Sequence, residues 1–168
     1  MIEKFKTLFF VKSSLIFLYL ALTIPLPFFS IEKLKIPSII IFALGFYLII
    51  NITSDYVETC SNKISYKSSF ISKFLGRKNW EISWKDIKLI KSLPTSQGSK
   101  VYYFNTFQGD NILVPQRVEE FEKFLLIVSS NTGIDINEIT YISPLWTYKL
   151  LTLISVLMII GELFAFIN

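Results

Sequence analysis

Few residue types in this chain could carry chemistry. It contains no histidine and a single cysteine, Cys60, so histidine general bases, Ser-His-Asp triads and the common zinc ligand sets lack a central member. One thiol forms neither an internal disulfide nor a metal site by itself, and we expect Cys60 to be a small, half-buried strand residue. The glycines make no GxxxxGK or GxGxxG phosphate motif. We therefore expect no catalytic residue, no metal and no cofactor, and hence no enzyme.

Four acidic residues lie close together in the sequence: Asp110, Glu119, Glu120 and Glu122. Carboxylates are good Ca²⁺ ligands, but these four lack the spacing of a calcium-binding loop. We expect Asp110 to serve a hairpin turn. The glutamates suit the first turns of a helix, where negative charge is favoured.

A stretch rich in aromatic and basic residues, SSFISKFLGRKNW, favours binding rather than catalysis. Here Phe70 and Phe74 are interleaved with Lys73, Arg77 and Lys78. Three interpretations are open: the phenylalanines are core or strand residues and the lysines are solvated, the stretch contacts anionic lipid, or it docks a partner protein. Each cation near an anionic surface contributes about 1 kcal/mol of attraction.

Charge argues against nucleic acid as a partner. Residues 54–100 hold nine Lys plus Arg and four acids, net +5, while residues 101–143 hold two and six, net −4. The region is therefore only +1 overall, and it contains no nucleic-acid recognition motif.

The segments that position these residues begin with two long stretches free of charge. Residues 13–30 and 36–54 have 18 and 19 residues, which is enough for a helix to cross about 30 Å of hydrocarbon. The link IEKLK at 31–35 is short, so we expect a tight transmembrane hairpin. Pro25 and Pro27 can end or kink the first span.

A third apolar stretch covers residues 145–167. Lys149 and Glu162 interrupt it, while Trp146 and Tyr148 are typical of an interfacial aromatic belt. It is either a third span, which we expect, or a helix that lies in the membrane interface.

Glu162 is an ionisable residue within that stretch, where such residues are usually functional. Two interpretations are open. It reaches the outer interface and pairs with Lys33 or Lys35, or it contacts a partner membrane protein.

The distribution of Lys and Arg predicts the orientation in the membrane. The N-terminal flank contains Lys4, Lys6 and Lys12, residues 55–143 contain 11 Lys plus Arg, and none follows residue 167. Positive-inside reasoning places the N-terminus and the middle region in the cytoplasm and the C-terminus on the opposite side. The Lys, Ile and Asn usage is typical of an AT-rich bacterial genome. We therefore expect the bacterial inner membrane, or the thylakoid if the source is cyanobacterial.

The middle region alternates between apolar and polar residues, as strands do, but the phase slips within NWEISWKDIKLIKS at 79–92. A bulge within one strand or a short turn between two strands would allow Trp84 and Ile87 both to face inward. From Pro115 or Gln116 to Gly133 the period becomes helical. The apolar positions of that helix share one face: Val118, Phe121, Leu125 and Val128.

This order resembles the bacterial pleckstrin-homology-like (PH-like) domains of small membrane proteins. The resemblance is carried by ISYKS at 64–68, EISWKDIKLIK at 81–91, YYFNTFQGDNILVP at 102–115 and VEEFEKFLLIV at 118–128. It implies an α+β membrane protein in which a curled antiparallel sheet is capped by one C-terminal helix. It also implies binding or scaffolding and supplies no catalytic residues.

Together these patterns predict three segments: an N-terminal transmembrane hairpin at 1–54, a cytoplasmic PH-like domain at 55–143 and a C-terminal transmembrane helix at 144–168. We expect a non-catalytic integral membrane protein that binds a partner membrane protein as a scaffold or assembly factor. The alternative is a module that binds anionic lipid at the membrane surface. If the source is cyanobacterial, the assembled complex could be photosynthetic.

Overall fold

The computed structural model describes residues 2–96 and 98–167, and the outermost residues of the predicted first and last segments, 1 and 168, lie outside that range. The described chain is α+β. Its elements in order are β1 (Glu3–Lys6), α1 (Phe9–Thr23), α2 (Pro25–Phe29), α3 (Glu32–Ile52), β2 (Tyr56–Thr59), β3 (Lys63–Lys67), α4 (Phe70–Phe74), β4 (Trp80–Ser83), β5 (Ile87–Pro94), β6 (Lys100–Thr106), β7 (Asn111–Leu113), α5 (Phe121–Thr132) and α6 (Leu145–Ile167).

The chain forms two compact units. Unit 1 contains the residues up to Leu8 together with Ser54–Pro144, and unit 2 contains Phe9–Thr53 together with the residues from Leu145 onward. The sequence places residues 1–8 with the transmembrane hairpin, whereas in the structure they belong to unit 1. The reason is that β1 pairs antiparallel with β2, from Glu3 opposite Thr59 to Lys6 opposite Tyr56.

Unit 1 has two antiparallel sheets, ordered β1-β2-β3-β4 and β5-β6-β7. Alternate residues of the strands point into one apolar core, as the two-residue period of a strand requires. The Phe5 ring packs edge-on against Phe124 of α5, with ring centroids 5.5 Å apart. The fully buried side chains of this core are Val57, Ile64, Phe104, Val114, Phe121, Phe124 and Val128.

The phase slip between residues 79 and 92 arises from both predicted causes. A single 3₁₀ turn, Trp84–Asp86, separates β4 from β5, and the pairing of β5 with β6 shifts register between Ile87 and Leu89. Trp84 and Ile87 are both buried, as predicted. The Trp84 indole donates a hydrogen bond to the Cys60 carbonyl oxygen at 2.8 Å, and Cys60 itself is half-buried.

Helix α5 begins at Phe121, so the predicted start at Pro115 or Gln116 is wrong. The segment before α5 forms turns rather than a helix, because Val118 bridges to Thr7, directly after β1. The Leu8 N–H donates to the Arg117 carbonyl, and the Glu119 N–H donates to the Lys6 carbonyl. The C-terminus is as predicted, with Gly133 in the left-handed conformation at φ 72°. The predicted helical face is buried, at Val118, Phe121, Leu125 and Val128.

Three helical segments of unit 2 are long and apolar enough to span a membrane: Phe9–Phe29, Glu32–Ile52 and Leu145–Ile167. The last coincides with the predicted stretch. The first begins at Phe9 rather than at residue 13. The predicted link at 31–35 is mostly helical, because Glu32 carries its negative charge in the first turn of α3, where the helix dipole favours an anion.

A close approach at Gly45 joins α1 to α3. The Tyr19 hydroxyl donates a hydrogen bond to the Phe42 carbonyl oxygen at 2.7 Å, and the Tyr19 and Phe42 rings stack. A methyl group on Gly45 would overlap the Tyr19 hydroxyl and lie 2.9 Å from its Cζ. Only glycine leaves room for this ring.

We expect Gly45→Ala to lower the thermal unfolding temperature of the full-length protein in detergent. The added methyl group must displace Tyr19 and its hydrogen bond, at a cost of about 1–2 kcal/mol. Gly161→Ala is the matched control, because apart from the local backbone of α6 no described atom lies within 4 Å of the added carbon. The control should unfold at the same temperature or higher, since alanine is the better helix former. Equal losses in both variants would contradict this account of Gly45.

Candidate functional site

The candidate site is the α4 turn, defined as residues 68–79, which connects β3 to β4. Its helix is short and is capped by its own sequence: the Ser72 N–H donates to the Ser69 side chain at 3.3 Å. Gly76 adopts φ 88° after the helix, a left-handed conformation that suits glycine and turns the chain back towards β4.

Hydrogen bonds between Ser68 and Asn79 join the two ends of the α4 turn, which we call its base. The Asn79 side-chain oxygen accepts from the Ser68 N–H at 2.8 Å and from the Ser68 hydroxyl at 2.7 Å. One amide therefore joins the first and last residues of the turn.

Asp55, directly before β2, holds the α4 turn through contacts with Ser69 and Arg77. Its side chain is only 4% exposed, and its Oδ2 accepts from Arg77 Nη1 at 2.8 Å. The same oxygen accepts from the Tyr66 hydroxyl at 2.7 Å, and Oδ1 accepts from the Ser69 N–H at 2.7 Å. A buried carboxylate with several donors is stable in its ionised form.

These contacts shift the titration of Asp55 and Tyr66. Burial alone raises the pKa of Asp55, but hydrogen bonds from Ser69, Tyr66, Ser72 and Arg77 together outweigh it and hold that pKa below the usual 3.8. Burial, with the neighbouring Asp55 carboxylate, raises the pKa of Tyr66 to about 12. Tyr66 therefore remains a hydroxyl donor, and Asp55 remains a charged acceptor, throughout the neutral range.

The predicted binding residues separate into two groups. Phe70 and Phe74 are 80% and 86% exposed and lie on α4, so their interpretation as core or strand residues is wrong. The neighbouring Leu75, which was not a predicted binding residue, is 63% exposed. Lys73 and Lys78 are exposed beside them, and neither takes part in an ion pair among the described residues.

Arg77 differs from the two lysines. Its guanidinium is committed to Asp55, so its role in the structure is to position the α4 turn. The sequence does not reveal this contact, because the two residues are 22 positions apart.

Sequence reasoning also missed an apolar face on unit 1. The outer face, as we call it, consists of Leu93, Val101, Tyr103 and Leu113 on the three-stranded sheet. Register places Leu93 opposite Val101 and Tyr103 opposite Leu113. The intervening residues of β6, including Tyr102 and Phe104, are buried. The signal in the sequence was KVYYFNTF, which is apolar at both phases of the alternation.

Glu162 is half-buried in α6. Its Oε2 is buried and, among the described residues, has no hydrogen-bond partner. Lys33 and Lys35 are exposed in the first turns of α3. The ion pairs of the described chain do not join Glu162 to either lysine, so the expected pairing is not formed in this structure.

The acidic residues near the β6–β7 hairpin do not assemble into a site. Asp110 is exposed and closes the hairpin, where its N–H donates to the Thr106 hydroxyl at 3.0 Å. Among the described residues, no group of three or more His, Cys, Asp or Glu side chains could hold a metal ion.

Sequence comparison relates the chain to a protein of Synechocystis sp., the uncharacterized protein slr0269. The two are 32% identical over 156 residues, a match that covers 88% of this chain and 77% of the Synechocystis protein. A match of that extent includes residues of both units. No protein-family model matches the chain.

We expect Asp55→Asn to loosen the α4 turn near neutral pH, at a cost of about 1–3 kcal/mol, because an amide is a poorer acceptor for three donors. The pKa of Asp55 is lowered on folding, so its stabilisation is complete above about pH 4 and is lost as the pH falls through the folded pKa. The difference in stability of the α4 turn between wild type and variant should therefore shrink in acid. Amide hydrogen exchange of residues 68–79, corrected for intrinsic rates, measures this stability.

Asp110→Asn is the control for this measurement, since Asp110 is exposed and distant from the α4 turn in sequence. It should leave exchange in residues 68–79 unchanged. If Asp55→Asn also left it unchanged near neutral pH, Asp55 would not be what holds the turn.

Proposed function

This chain belongs to the family of the Synechocystis protein slr0269, and we propose that it is a non-catalytic integral membrane protein whose unit 1 binds a partner membrane protein. In this proposal it acts as a scaffold or assembly factor for a membrane complex. Three candidate spans support the membrane location. By the positive-inside rule the N-terminus and unit 1 are cytoplasmic, and an odd number of spans leaves the C-terminus on the other side.

We further propose that unit 1 is a PH-like domain. Two antiparallel sheets of four and three strands followed by the single helix α5 support this. The core is filled by the side chains of the sheets and α5. Binding would therefore use the surface of the unit, as it does in a docking module.

The observation that carries the binding proposal is the outer face. Leu93 and Leu113 are exposed there, and Val101 and Tyr103 are half-buried between them. The four side chains are direct cross-strand or same-strand neighbours, so they form one continuous apolar area. Contiguous apolar areas on a protein surface commonly mark interaction sites, since covering them releases about 25 cal/mol per Å².

A cation borders this apolar area. Lys91 is opposite Tyr103 on the same face of the sheet and is exposed. An apolar centre with a charged group at its side is the usual composition of a protein interface. We therefore propose a partner with an apolar surface and an acidic residue at its edge.

Photo-crosslinking in native membranes tests this proposal. A benzophenone amino acid at Tyr103 should crosslink the full-length protein to one membrane protein. The same probe at Tyr56, a half-buried tyrosine of the four-stranded sheet, is the matched control and should not capture that protein. If the captured protein is a photosystem subunit, the narrower role in photosynthetic-complex assembly is supported.

We expect Leu113→Glu to reduce the yield of that crosslinked partner about tenfold, which corresponds to about 1.4 kcal/mol of binding free energy. A buried carboxylate in an apolar contact has no compensating partner. Leu126→Glu is the control, because Leu126 is a comparably exposed leucine on α5. Equal yields from Leu113→Glu and wild type would contradict the outer face as the docking surface.

A further inference from the structure

The α4 turn lies at the end of unit 1 where the chain continues into α1 and returns from α3. Asp55, which holds the turn, follows the last residue of α3, Ile52, by only three positions along the chain. Between β1 and α1, the Thr7 hydroxyl donates to the Asp55 carbonyl oxygen at 3.0 Å. Both connections between unit 1 and the N-terminal helices therefore pass beside the base of α4.

The opposite end of the strands of unit 1 is formed by different turns. The turn between β2 and β3 meets the 3₁₀ turn there, where the Trp84 N–H donates to the Asn62 carbonyl oxygen. The β6–β7 turn joins them through the Phe107 N–H, which donates to the Asp86 carbonyl oxygen at 3.0 Å. Phe107 is 69% exposed. Unit 1 thus displays exposed phenylalanines at both ends, and only one end is attached to the spans α1 and α3.

The surface of the α4 turn combines apolar and cationic groups. Phe70, Phe74 and Leu75 project outward, with Lys73 and Lys78 beside them. The buried carboxylate beneath the turn, Asp55, is already neutralised by Arg77. An exposed aromatic cluster flanked by cations is typical of segments that lie in the interface of an anionic bilayer.

The position of this surface favours lipid over protein. Phe70 and Phe74 on a five-residue helix, and Leu75 directly after it, lie at the end of unit 1 where the chain continues into α1 and returns from α3. A tethered segment needs little intrinsic affinity, because the anchor supplies a high effective concentration of bilayer. The hydrogen bonds to Asp55 and Asn79 hold the turn in its exposed form, so little ordering is required on contact.

We propose that the α4 turn inserts Phe70, Phe74 and Leu75 into the interface of the bilayer that the candidate spans cross, with Lys73 and Lys78 against anionic headgroups. This inference rests on the membrane location proposed above, but not on the partner protein or the outer face. It assigns Arg77 and Asp55 to positioning the turn rather than to lipid contact.

Fluorescence of the full-length protein in lipid nanodiscs tests the inference. Cys60→Ser removes the native thiol, and Phe74→Cys carries an environment-sensitive nitrobenzoxadiazole label. Phe107→Cys, labelled in the same way, is the matched control at the other end of unit 1. The discs contain phosphatidylcholine alone or mixed with phosphatidylglycerol, and brominated lipid and aqueous iodide serve as the two quenchers.

We expect the label at residue 74 to emit at shorter wavelength than the label at residue 107, to be quenched by brominated lipid and to be protected severalfold from iodide. Phosphatidylglycerol should strengthen this difference. Replacing Lys73 and Lys78 with serine should remove that added effect and leave the signal in phosphatidylcholine alone.

Three results would overturn the inference. Equal access of iodide to both labels would place the α4 turn in water. A short-wavelength emission at residue 74 without quenching by brominated lipid would mean a protein contact instead. If alkaline carbonate extracted the protein from membranes, both this inference and the proposed integral location would fail, whereas the first two results leave the integral location intact.

Discussion

The pairing of β1 with β2 is the constraint on which the rest of the structure depends. It brings Lys6 opposite Tyr56, so two chain positions separated by the whole helical hairpin lie at the spacing of neighbouring strands, about 4.8 Å. The hairpin is therefore an insertion between two paired strands. The chain must leave and re-enter unit 1 at one place, which requires α1 and α3 to run in opposite directions.

The polar contacts at that place follow from the same constraint. A backbone that passes from a strand into a helix leaves groups without regular partners, and these must be satisfied locally. Thr7 does so for the Asp55 carbonyl, and the Asp55 carboxylate in turn gathers Tyr66, Ser69 and Arg77. The residue that completes the junction thus also fixes the α4 turn, which is why its phenylalanines are exposed and not collapsed into the core.

Long elements with a regular apolar pattern could be predicted from the sequence, whereas short elements and contacts between distant residues could not. Long apolar stretches identified the three apolar helices, and the spacing of Phe121, Leu125 and Val128 identified the buried face of α5. β1 was missed because it has one apolar residue, Phe5, among charged neighbours. Because β1 was missed, the predicted start of α5 was also wrong. The helix begins later than predicted because residues 117–119 pair with the end of β1. The exposure of Phe70 and Phe74 depends on the contacts of Asp55 with the α4 turn. No local sequence pattern predicts these contacts.

The location of β1 also makes the two units interdependent in folding. A fragment that begins at residue 55 keeps six strands of the described sheets but lacks Phe5, whose ring packs on Phe124, and leaves the edge of β2 unpaired. It also lacks Thr7 and the partner strand for residues 117–119. Loss of one fully packed phenylalanine alone costs about 3–5 kcal/mol, a large share of the stability of a domain this size. Unit 1 is therefore expected to reach its full stability only when β1 has paired with β2 across the inserted hairpin. A chain with unit 1 formed has thus already brought together the start of α1 and the end of α3.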